Sequence, residues 1–303
     1  MTASVGYALR KLAGQPGRVL QNLKIRARTL ASWERLYATI REPKRNGARA
    51  VDDAVVRAVV ARLSDLGLSV ARRSVEPGAY RDYLASADYA RFPLYMDGGR
   101  AAGFHEKGLE HFLAARLSGL RRGEVCIDVA SQNSPVPDVY ARLFGAGMYE
   151  QDLAFPRGLS GRRIGGDAAA MPVPDAFADV LVLHNAFEHF EGDSDTRFMH
   201  EAARVLKPGG RVCILPLFMH ERFANQTDPA AIFGTPPAFD PGAEVWCVRG
   251  WHDRFGRHYD AAQLESRLLA HAGAFDVQLI EFEDAASIDA TCYLRFAMVL
   301  RKR

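Results

Sequence analysis

Histidine and carboxylate side chains gather in one short stretch of the sequence, His184-Asn185-Ala186-Phe187-Glu188-His189. An imidazole beside a carboxylate is suited to taking up a proton near neutral pH. His184, Glu188 and His189 are therefore the candidate catalytic residues. For each histidine, a structural role is the alternative to direct proton transfer.

Three more acids follow this stretch, at Glu191, Asp193 and Asp195. Together with the histidines they could be read as a metal site. However, a second histidine at helical spacing is missing, and acids are common at a helix N-terminus. The sequence therefore predicts a helix start here and no metal site.

The elements that would position these residues are readable on both sides. Val180 to Leu183 is an uninterrupted apolar run, as expected of a strand that is buried on both faces of a parallel sheet. Apolar residues at helical spacing follow, up to Val205, and Lys207-Pro208-Gly209-Gly210 favours the end of that helix. Val212 to Leu215 then predicts the next buried strand, which completes a βαβ unit.

This region resembles the second half of a class I S-adenosylmethionine-dependent methyltransferase domain. The matching elements, in order, are Gly166-Asp167-Ala168 with Met171-Pro172, Phe177-Ala178-Asp179, His184-Asn185, Phe187-Glu188-His189, and Arg204-Val205-Leu206-Lys207-Pro208-Gly209-Gly210. The resemblance covers roughly residues 120–303, and the methyltransferase domain is expected over residues 119–303. It implies a Rossmann-like, doubly wound α/β fold with a mostly parallel seven-stranded sheet.

The resemblance also implies where S-adenosyl-L-methionine would bind. The first part of the implied site is the strand-end acid Asp128 with the loop that follows it. The other parts are an acid on the second strand (Asp152, with Glu150 as the alternative) and the ends of the third and fourth strands. The implied cofactor-binding residues are Asp128, Ala130, Ser131, Gln132, Asn133, Asp152, Asp167, Ala168, His184 and Asn185.

Two features depart from the family pattern. Ala130, Gln132 and Ser134 stand where the family commonly has glycines, which allow close approach of the backbone to the cofactor. The short connection from Asp152 to Gly166 also leaves little room for the usual helix. A second hypothesis is therefore a non-catalytic protein that keeps the fold, has lost the cofactor and acts as a binding or scaffold module.

A long insertion after Pro216 carries the candidate substrate-binding residues. Long loops in compact domains are often functional, and this one is followed by a concentration of tryptophan, arginine and histidine. Arginine suits phosphate or carboxylate groups, and tryptophan faces suit sugar rings. We therefore expect a small-molecule or glycan acceptor, such as a sugar or sugar phosphate of polysaccharide biosynthesis, near His220, Arg222, Arg254 and His258.

The first 118 residues are not explained by the resemblance. Residues 1–49 have a charge balance of +9 within a chain of net charge +3, and they are predicted to form a basic amphipathic arm. Residues 50–118 are predicted to form a helical cap. The arm could pack on the body or on a second subunit in a homodimer, or residues 1–41 could lie on an anionic membrane surface. Nucleic acid is the least favoured partner.

Composition places the chain among ordinary globular proteins. It has 303 residues, of which 48% are hydrophobic and 25% are charged. The four cysteines have no metal-ligand spacing, which favours reduced, buried thiols. We expect a cytoplasmic protein, with peripheral attachment at the inner face of the membrane as the further hypothesis.

Overall fold

The computed structural model describes residues 52–93, 95, 104–131, 134–232, 237–248 and 251–303. The basic arm predicted over residues 1–49 lies outside this range, and so do Gln132 and Asn133 of the predicted cofactor loop.

Twelve strands are described. In chain order they are β1 (Val70–Arg73), β2 (Val125–Val129), β3 (Gly147–Asp152), β4 (Gly158–Ser160), β5 (Arg163–Gly165), β6 (Ala178–His184), β7 (Leu206–Leu215), β8 (Ala224–Thr227), β9 (Glu244–Cys247), β10 (Gly256–His258), β11 (Phe275–Phe282) and β12 (Phe296–Lys302). Nine of them form the main sheet, in the order β1-β11-β12-β7-β6-β2-β3-β5-β4, and β8, β9 and β10 form a second sheet.

The helices cover both faces of the main sheet. They are α1 (Asp53–Asp65), α2 (Pro77–Ala87), α3 (Phe104–Ser118), α4 (Val136–Phe144), α5 (Ser194–Val205), α6 (Ala261–Arg267) and α7 (Ala285–Ile288). Apolar residues of α1, α5 and α6 share one core with the sheet, and those of α2, α3, α4 and α7 share the other. The fold is thus a three-layer sandwich of helices, sheet and helices.

The central strand β6 shows why the sequence forms this architecture. Val180 and Val182 enter the core beneath α3 and α4, whereas Leu181 and Leu183 enter the opposite core. Because successive side chains of a strand point to opposite faces, both sets must be apolar when both faces are covered. Parallel pairing of β6 with β2 and β7 places it at the middle of the sheet.

The predicted Rossmann-like fold is confirmed, with two additions. Seven strands in the order β5-β3-β2-β6-β7-β12-β11 form the predicted sheet, and β12 runs antiparallel to both of its neighbours. At one edge, the hairpin of β4 and β5 replaces the helix that is reduced in the sequence. At the other edge, β1 pairs in parallel with β11.

The segment predicted as a helical cap is built into this same sheet. Val56, Val59 and Leu63 of α1 belong to one core, whereas Leu109 of α3 belongs to the other. The helices of this segment thus pack on the main sheet, and β1 pairs with its edge strand β11. Among the described helices, none is both long and apolar enough to cross a bilayer.

Candidate active site

The carboxyl ends of neighbouring parallel strands bring several predicted site residues to one edge of the sheet. Asp152 is the last residue of β3, His184 is the last residue of β6, and Asp128 is one residue from the end of β2. Asn185 follows directly in the left-handed conformation, with φ of 49°. Ligands of open α/β sheets bind at this edge, so this arrangement is the starting point for the site.

His184 is buried and held at both ring nitrogens. Its Nδ1 lies 3.1 Å from Asp128 Oδ1, and its Nε2 lies 3.3 Å from the Tyr140 hydroxyl. That hydroxyl donates to the carbonyl of His111 at 2.5 Å, so it accepts from His184. Proton transfer to a substrate by His184 would require one of these bonds to break, and the geometry therefore favours a positioning role.

Glu188 and His189 form a different kind of pair, on the short turn Phe187–His189. His189 Nδ1 lies 2.5 Å from the carbonyl of Phe255, which assigns the ring hydrogen to Nδ1 and leaves the Nε2 lone pair available. That Nε2 lies 3.5 Å from Glu188 Oε1. Burial raises the pKa of Glu188 despite the nearby His189. This pair has the geometry of an oriented imidazole base beside a carboxyl group.

A lysine of α3 reaches the same turn, and it was not among the predicted site residues. Lys107 Nζ donates to Glu110 at 3.0 Å. In the amide orientation that satisfies both ends of Asn185, its oxygen accepts from Lys107 at 3.3 Å and its nitrogen donates to Glu188 Oε1 at 3.3 Å. A continuous polar chain therefore runs from Glu110 through Lys107 and Asn185 to Glu188.

Glu106 lies one helical turn before Glu110 and is equally buried. Its Oε2 accepts from the backbone N–H groups of Tyr293 at 2.9 Å and Leu294 at 3.4 Å. Burial, followed by the charge of Glu110, raises the pKa of Glu106 to about 8. Its Oε1 has no hydrogen-bond partner among the described residues. Burial also raises the pKa of Glu110.

The predicted ribose-binding and adenine-side acids differ in their surroundings. Asp152 is nearly buried, and its Oδ1 accepts from the N–H of Ala154 at 2.7 Å. Asp167 is more exposed, with Oδ2 at 3.2 Å from Arg197. Ala168 is buried beside it. Asp152 is thus a carboxylate held at the strand end, whereas Asp167 is already engaged in an ion pair.

Gln151 ties the cofactor loop to the third strand end, and the sequence reading missed this role. Its Oε1 accepts from the N–H of Ala130 at 3.2 Å, and its Nε2 donates to the carbonyl of Gly166 at 2.6 Å. The side chain is fully buried, so its amide replaces water for both loops. Gln151 therefore fixes the spacing between the two loops that would enclose a cofactor.

The described part of the cofactor loop fits S-adenosylmethionine. Ala130 has a φ of 55°, the left-handed conformation that favours glycine, so the tight turn is kept without the glycine. Asp128 Oδ2 and Ser131 Oγ are buried and have no hydrogen-bond partner among the described residues. The Asp128 oxygen requires a donor, whereas the Ser131 hydroxyl can donate or accept, and the ammonium, carboxylate and hydroxyl groups of S-adenosylmethionine supply such partners.

Two of the predicted substrate-binding residues are already paired. Arg222 lies 3.1 Å from Glu244, and Arg254 lies 2.7 Å from Glu191. Both guanidinium groups are partly exposed. Their charges are balanced locally, so they do not form a dedicated anion site.

The other two predicted residues, His220 and His258, belong to a row of rings. The His220 ring lies 4.9 Å from that of Trp246, and the Trp246 ring lies 5.0 Å from that of His258. Phe218 lies 5.3 Å from His258 and stacks on Tyr293 at 6.1 Å. The Tyr293 hydroxyl reaches the side-chain amide of Asn185 at 3.0 Å. The row thus leads from the second sheet to the end of β6.

His258 is neutral within this row. Burial and the neighbouring His220 lower the pKa of His258 to about 3. Its Nδ1 has no hydrogen-bond partner among the described residues.

The insertion is fixed to the domain by a buried charge network. Arg257 of β10 is fully buried and lies 3.0 Å from Asp195 and 2.7 Å from Asp240. Arg267 also pairs with Asp195 at 2.7 Å, and Tyr259 donates to Asp195 at 2.7 Å. Although burial alone would raise it, the pKa of Asp195 is lowered, because Arg267 and Arg257 stabilise its charged form.

Asp195 lies at the predicted helix start, and it also has a role that the sequence did not predict. The acid was expected to cap α5, and its Oδ1 does accept from the N–H of Thr196 at 2.8 Å. Its main partners, however, are the two arginines, which come from more than 60 residues later in the chain. Arg257 also donates to the carbonyls of Phe190 at 2.7 Å and Gly192 at 2.9 Å. The network therefore holds the loop that carries Glu188 and His189.

The family comparison agrees with the strand-end geometry. Residues 127–214 match the family model described as a methyltransferase domain. The match begins in β2 and ends in β7, so it spans the three central parallel strands and the Glu188–His189 turn. No curated protein matches the sequence at a significant level.

Three of the solved structures to which this chain is similar are two methyltransferases and a cyclase. A Burkholderia thailandensis 1,6-didemethyltoxoflavin-N1-methyltransferase with bound S-adenosylhomocysteine has 18% identity and a TM-score of 0.42, covering 75% of this chain and 91% of its own. An S-adenosylmethionine-dependent methyltransferase from Methanosarcina mazei has 14% identity and a TM-score of 0.37, covering 60% and 94%. The [4+2]-cyclase SpnF has 17% identity and a TM-score of 0.38, covering 77% and 97%. These values give no information on the acceptor of this chain.

Proposed function

We propose that this chain, which belongs to the class I S-adenosylmethionine-dependent methyltransferases, methylates a small-molecule or glycan acceptor that is bound over the Asn185–His189 turn. The match of residues 127–214 to the methyltransferase-domain model supports a methyltransferase that uses S-adenosylmethionine. The acceptor class and the roles of individual residues are the parts that we propose.

The observation that carries the proposal is the pairing of a cofactor edge with an oriented base. Asp128, Ser131 and Asp152 lie on the cofactor side of the strand ends, and two of them keep buried atoms without partners in the described chain. The His189 imidazole, oriented by the Phe255 carbonyl, lies on the turn that follows β6. Both halves of a methyl transfer, donor binding and proton removal, thus meet at one edge.

S-adenosylmethionine, when bound, supplies an electrophilic methyl group. His189 Nε2 is the proposed proton acceptor for the attacking group, because Nδ1 already donates to Phe255. Glu188 stabilises the imidazolium that forms, and Asn185 with Lys107 fixes the Glu188 carboxyl. His184 holds Asp128 in place, as a positioning residue.

The acceptor would lie against the row of rings from the second sheet. Tyr293 contacts Asn185 through its hydroxyl and stacks on Phe218, and aromatic rings pack well on sugar rings or on planar small molecules. Because Arg222 and Arg254 are paired with acids, the contacts favour an acceptor without phosphate. An uncharged sugar or a small aromatic molecule fits these contacts better than a sugar phosphate.

The second candidate is a non-catalytic protein that has lost the cofactor. The observation in its favour is the absence of glycine at residues 130, 132 and 134. It predicts no S-adenosylhomocysteine binding at millimolar concentration.

Calorimetry with S-adenosylhomocysteine separates the two candidates. We expect binding by the full chain, and a loss of affinity of about tenfold or more in Asp152→Asn, because a charge-assisted hydrogen bond is removed. Asp276→Asn is the matched control, since Asp276 is exposed and paired only with Arg303 among the described residues. Full-length protein that binds no S-adenosylhomocysteine would reject the proposed function.

The partners of the N-terminal arm are a separate proposal. We propose that residues 1–41 attach a cytoplasmic enzyme to the inner face of the membrane, because the arm holds most of the excess positive charge. Deleting residues 1–40 should then abolish cosedimentation with anionic liposomes. Cosedimentation that is unchanged by the deletion would contradict this, and sedimentation of the full chain as a dimer would favour the homodimer hypothesis.

A further inference from the structure

The turn at the end of β6 lies in a region that is rich in buried carboxyl groups and poor in cations. Glu106, Glu110 and Glu188 are all buried there. Among the described residues, Lys107 is the one ammonium group that pairs with any of them, through Glu110. Buried carboxyls are costly unless a cation or a hydrogen-bond donor meets them. The region therefore contains more hydrogen-bond acceptor atoms than the described donors satisfy.

The unsatisfied capacity is located at specific atoms. Glu188 Oε1 faces His189 and Asn185, whereas Glu188 Oε2 is buried and has no partner among the described residues. Glu106 Oε1 is also buried and has no hydrogen-bond partner among the described residues. Glu188 lies three residues beyond Asn185, on the turn that follows β6 at the cofactor edge of the sheet.

Aromatic rings adjoin both neighbours of Glu188. The Tyr293 hydroxyl contacts the Asn185 amide at 3.0 Å, and the Trp251 ring lies 5.8 Å from that of His189. Aromatic faces attract cations, and the attraction grows when the cation is removed from water. Carboxyl oxygens without donors recognise a positively charged nitrogen, and aromatic side chains that contact neighbouring residues are suited to shield it from water.

We infer that the acceptor carries an amine, held as an ammonium group that donates to Glu188 Oε2 at the Asn185–His189 turn. The inference rests on the proposed function, because it assigns the acceptor side of the same site. It narrows the acceptor class to amino-bearing small molecules or amino sugars. A phosphate or carboxylate would instead bring further acceptor oxygens to Glu106 and Glu188, whose own oxygens already lack donors among the described residues.

Three probes of one shape test this directly. Phenethylammonium, 2-phenylethanol and 3-phenylpropionate share the ring and the chain but differ in charge. Each is titrated by calorimetry into the full-length protein saturated with S-adenosylhomocysteine. We expect that, of the three probes, only phenethylammonium binds with a Kd of about 10 mM or lower. Equal binding of the alcohol or the carboxylate, or no binding of the ammonium probe, would overturn the inference.

Variants locate the contact. Glu188→Gln should weaken phenethylammonium binding by about tenfold or more, because it removes a charge-assisted hydrogen bond and keeps the shape. Glu283→Gln is the matched control, since Glu283 is half-exposed at the far edge of the sheet and pairs with Arg72. If Glu188→Gln does not fold, Glu188→Asp, which moves the same charge, should show the loss in its place. Unchanged affinity in a folded Glu188 variant would refute the contact.

The two levels of the proposal fail in different ways. Loss of S-adenosylhomocysteine binding in wild-type protein would reject the proposed function itself. Retained S-adenosylhomocysteine binding without preference for the ammonium probe would reject only the acceptor class.

Discussion

The insertion and the strand-end site both bury charged side chains, but they balance them differently. Where the insertion packs on the domain, the two carboxylates Asp195 and Asp240 face the two guanidinium groups of Arg257 and Arg267. At the end of β6, three buried carboxyls of the described chain face one lysine. A buried network that is balanced internally holds a fold together, whereas an unbalanced one is a candidate for ligand binding and proton transfer.

The difference is visible in the directions of the pKa shifts. The arginines lower the pKa of Asp195 despite its burial, whereas burial raises the pKa of Glu188 and Glu106. Asp195 therefore stays ionised as a structural anion. Glu188 and Glu106 hold protons more readily, which suits groups that exchange protons or receive a cation.

The largest expected effect is the loss of one arginine from the balanced network. Arg257→Leu should lower the free energy of unfolding by about 3–5 kcal/mol, because it leaves Asp195 and Asp240 buried with fewer cations. Urea denaturation measures this change. A loss below about 1 kcal/mol would show that the insertion does not depend on its buried charges.

The next largest effect concerns catalysis in the unbalanced site. Glu188→Gln should lower kcat about 10²-fold, since the imidazolium at His189 loses its neighbouring carboxylate. Its free energy of unfolding should be unchanged or higher, because a costly buried carboxyl is removed. Methyl transfer and urea denaturation are measured on the same samples. A variant that is as destabilised as Arg257→Leu would contradict the distinction between the two regions.

The pH dependence of stability sharpens the same contrast. The unfolded chain releases the Glu106 proton near pH 4.5, whereas the folded protein keeps it up to about pH 8. Between these values the folded state holds the extra proton, so the free energy of unfolding should fall as pH rises, by at most about 1.4 kcal/mol per pH unit. Glu106→Gln should remove this contribution and be more stable than wild type at pH 8. An unchanged slope between pH 5 and 8 would contradict the assignment.

The smallest effect is expected at an exposed pair of the insertion. Arg222 and Glu244 are both partly exposed, so Arg222→Leu should change the free energy of unfolding by less than about 1 kcal/mol. The same urea measurement serves as a scale for Arg257→Leu. A loss comparable to that of Arg257→Leu would mean that burial does not separate the two kinds of ion pair.

Most of the sheet was predictable, because its strands are long and buried on both faces. The apolar runs from Val180 to Leu183 and from Val212 to Leu215 predict buried strands, and they lie within β6 and β7. The second sheet was missed, since β8, β9 and β10 are three or four residues long and mostly polar or charged. Strands of that length carry no readable alternation.

The site was predictable only where it follows strand ends. His184, Asn185, Glu188 and His189 come directly after an evident strand. In contrast, Glu106 and Glu110 stand four residues apart on α3, a spacing that is typical of a solvated helix face. Their burial depends on contacts with residues far along the chain, such as the Glu106 bonds to Tyr293 and Leu294. Such distant partners cannot be predicted from the residues around Glu106.

The pairing of β1 has a consequence for how the chain folds. Val75, just after β1, donates to Asp284 across 209 residues of sequence, and Val70 pairs with Leu279. Closing so long a loop costs conformational entropy before the favourable contacts form, and chains with such topologies fold slowly. During synthesis, the first described strand must wait for nearly the whole remaining chain before it finds its neighbour. Chaperone dependence should therefore be greatest while this strand is still an open edge, exposed to pairing with other chains.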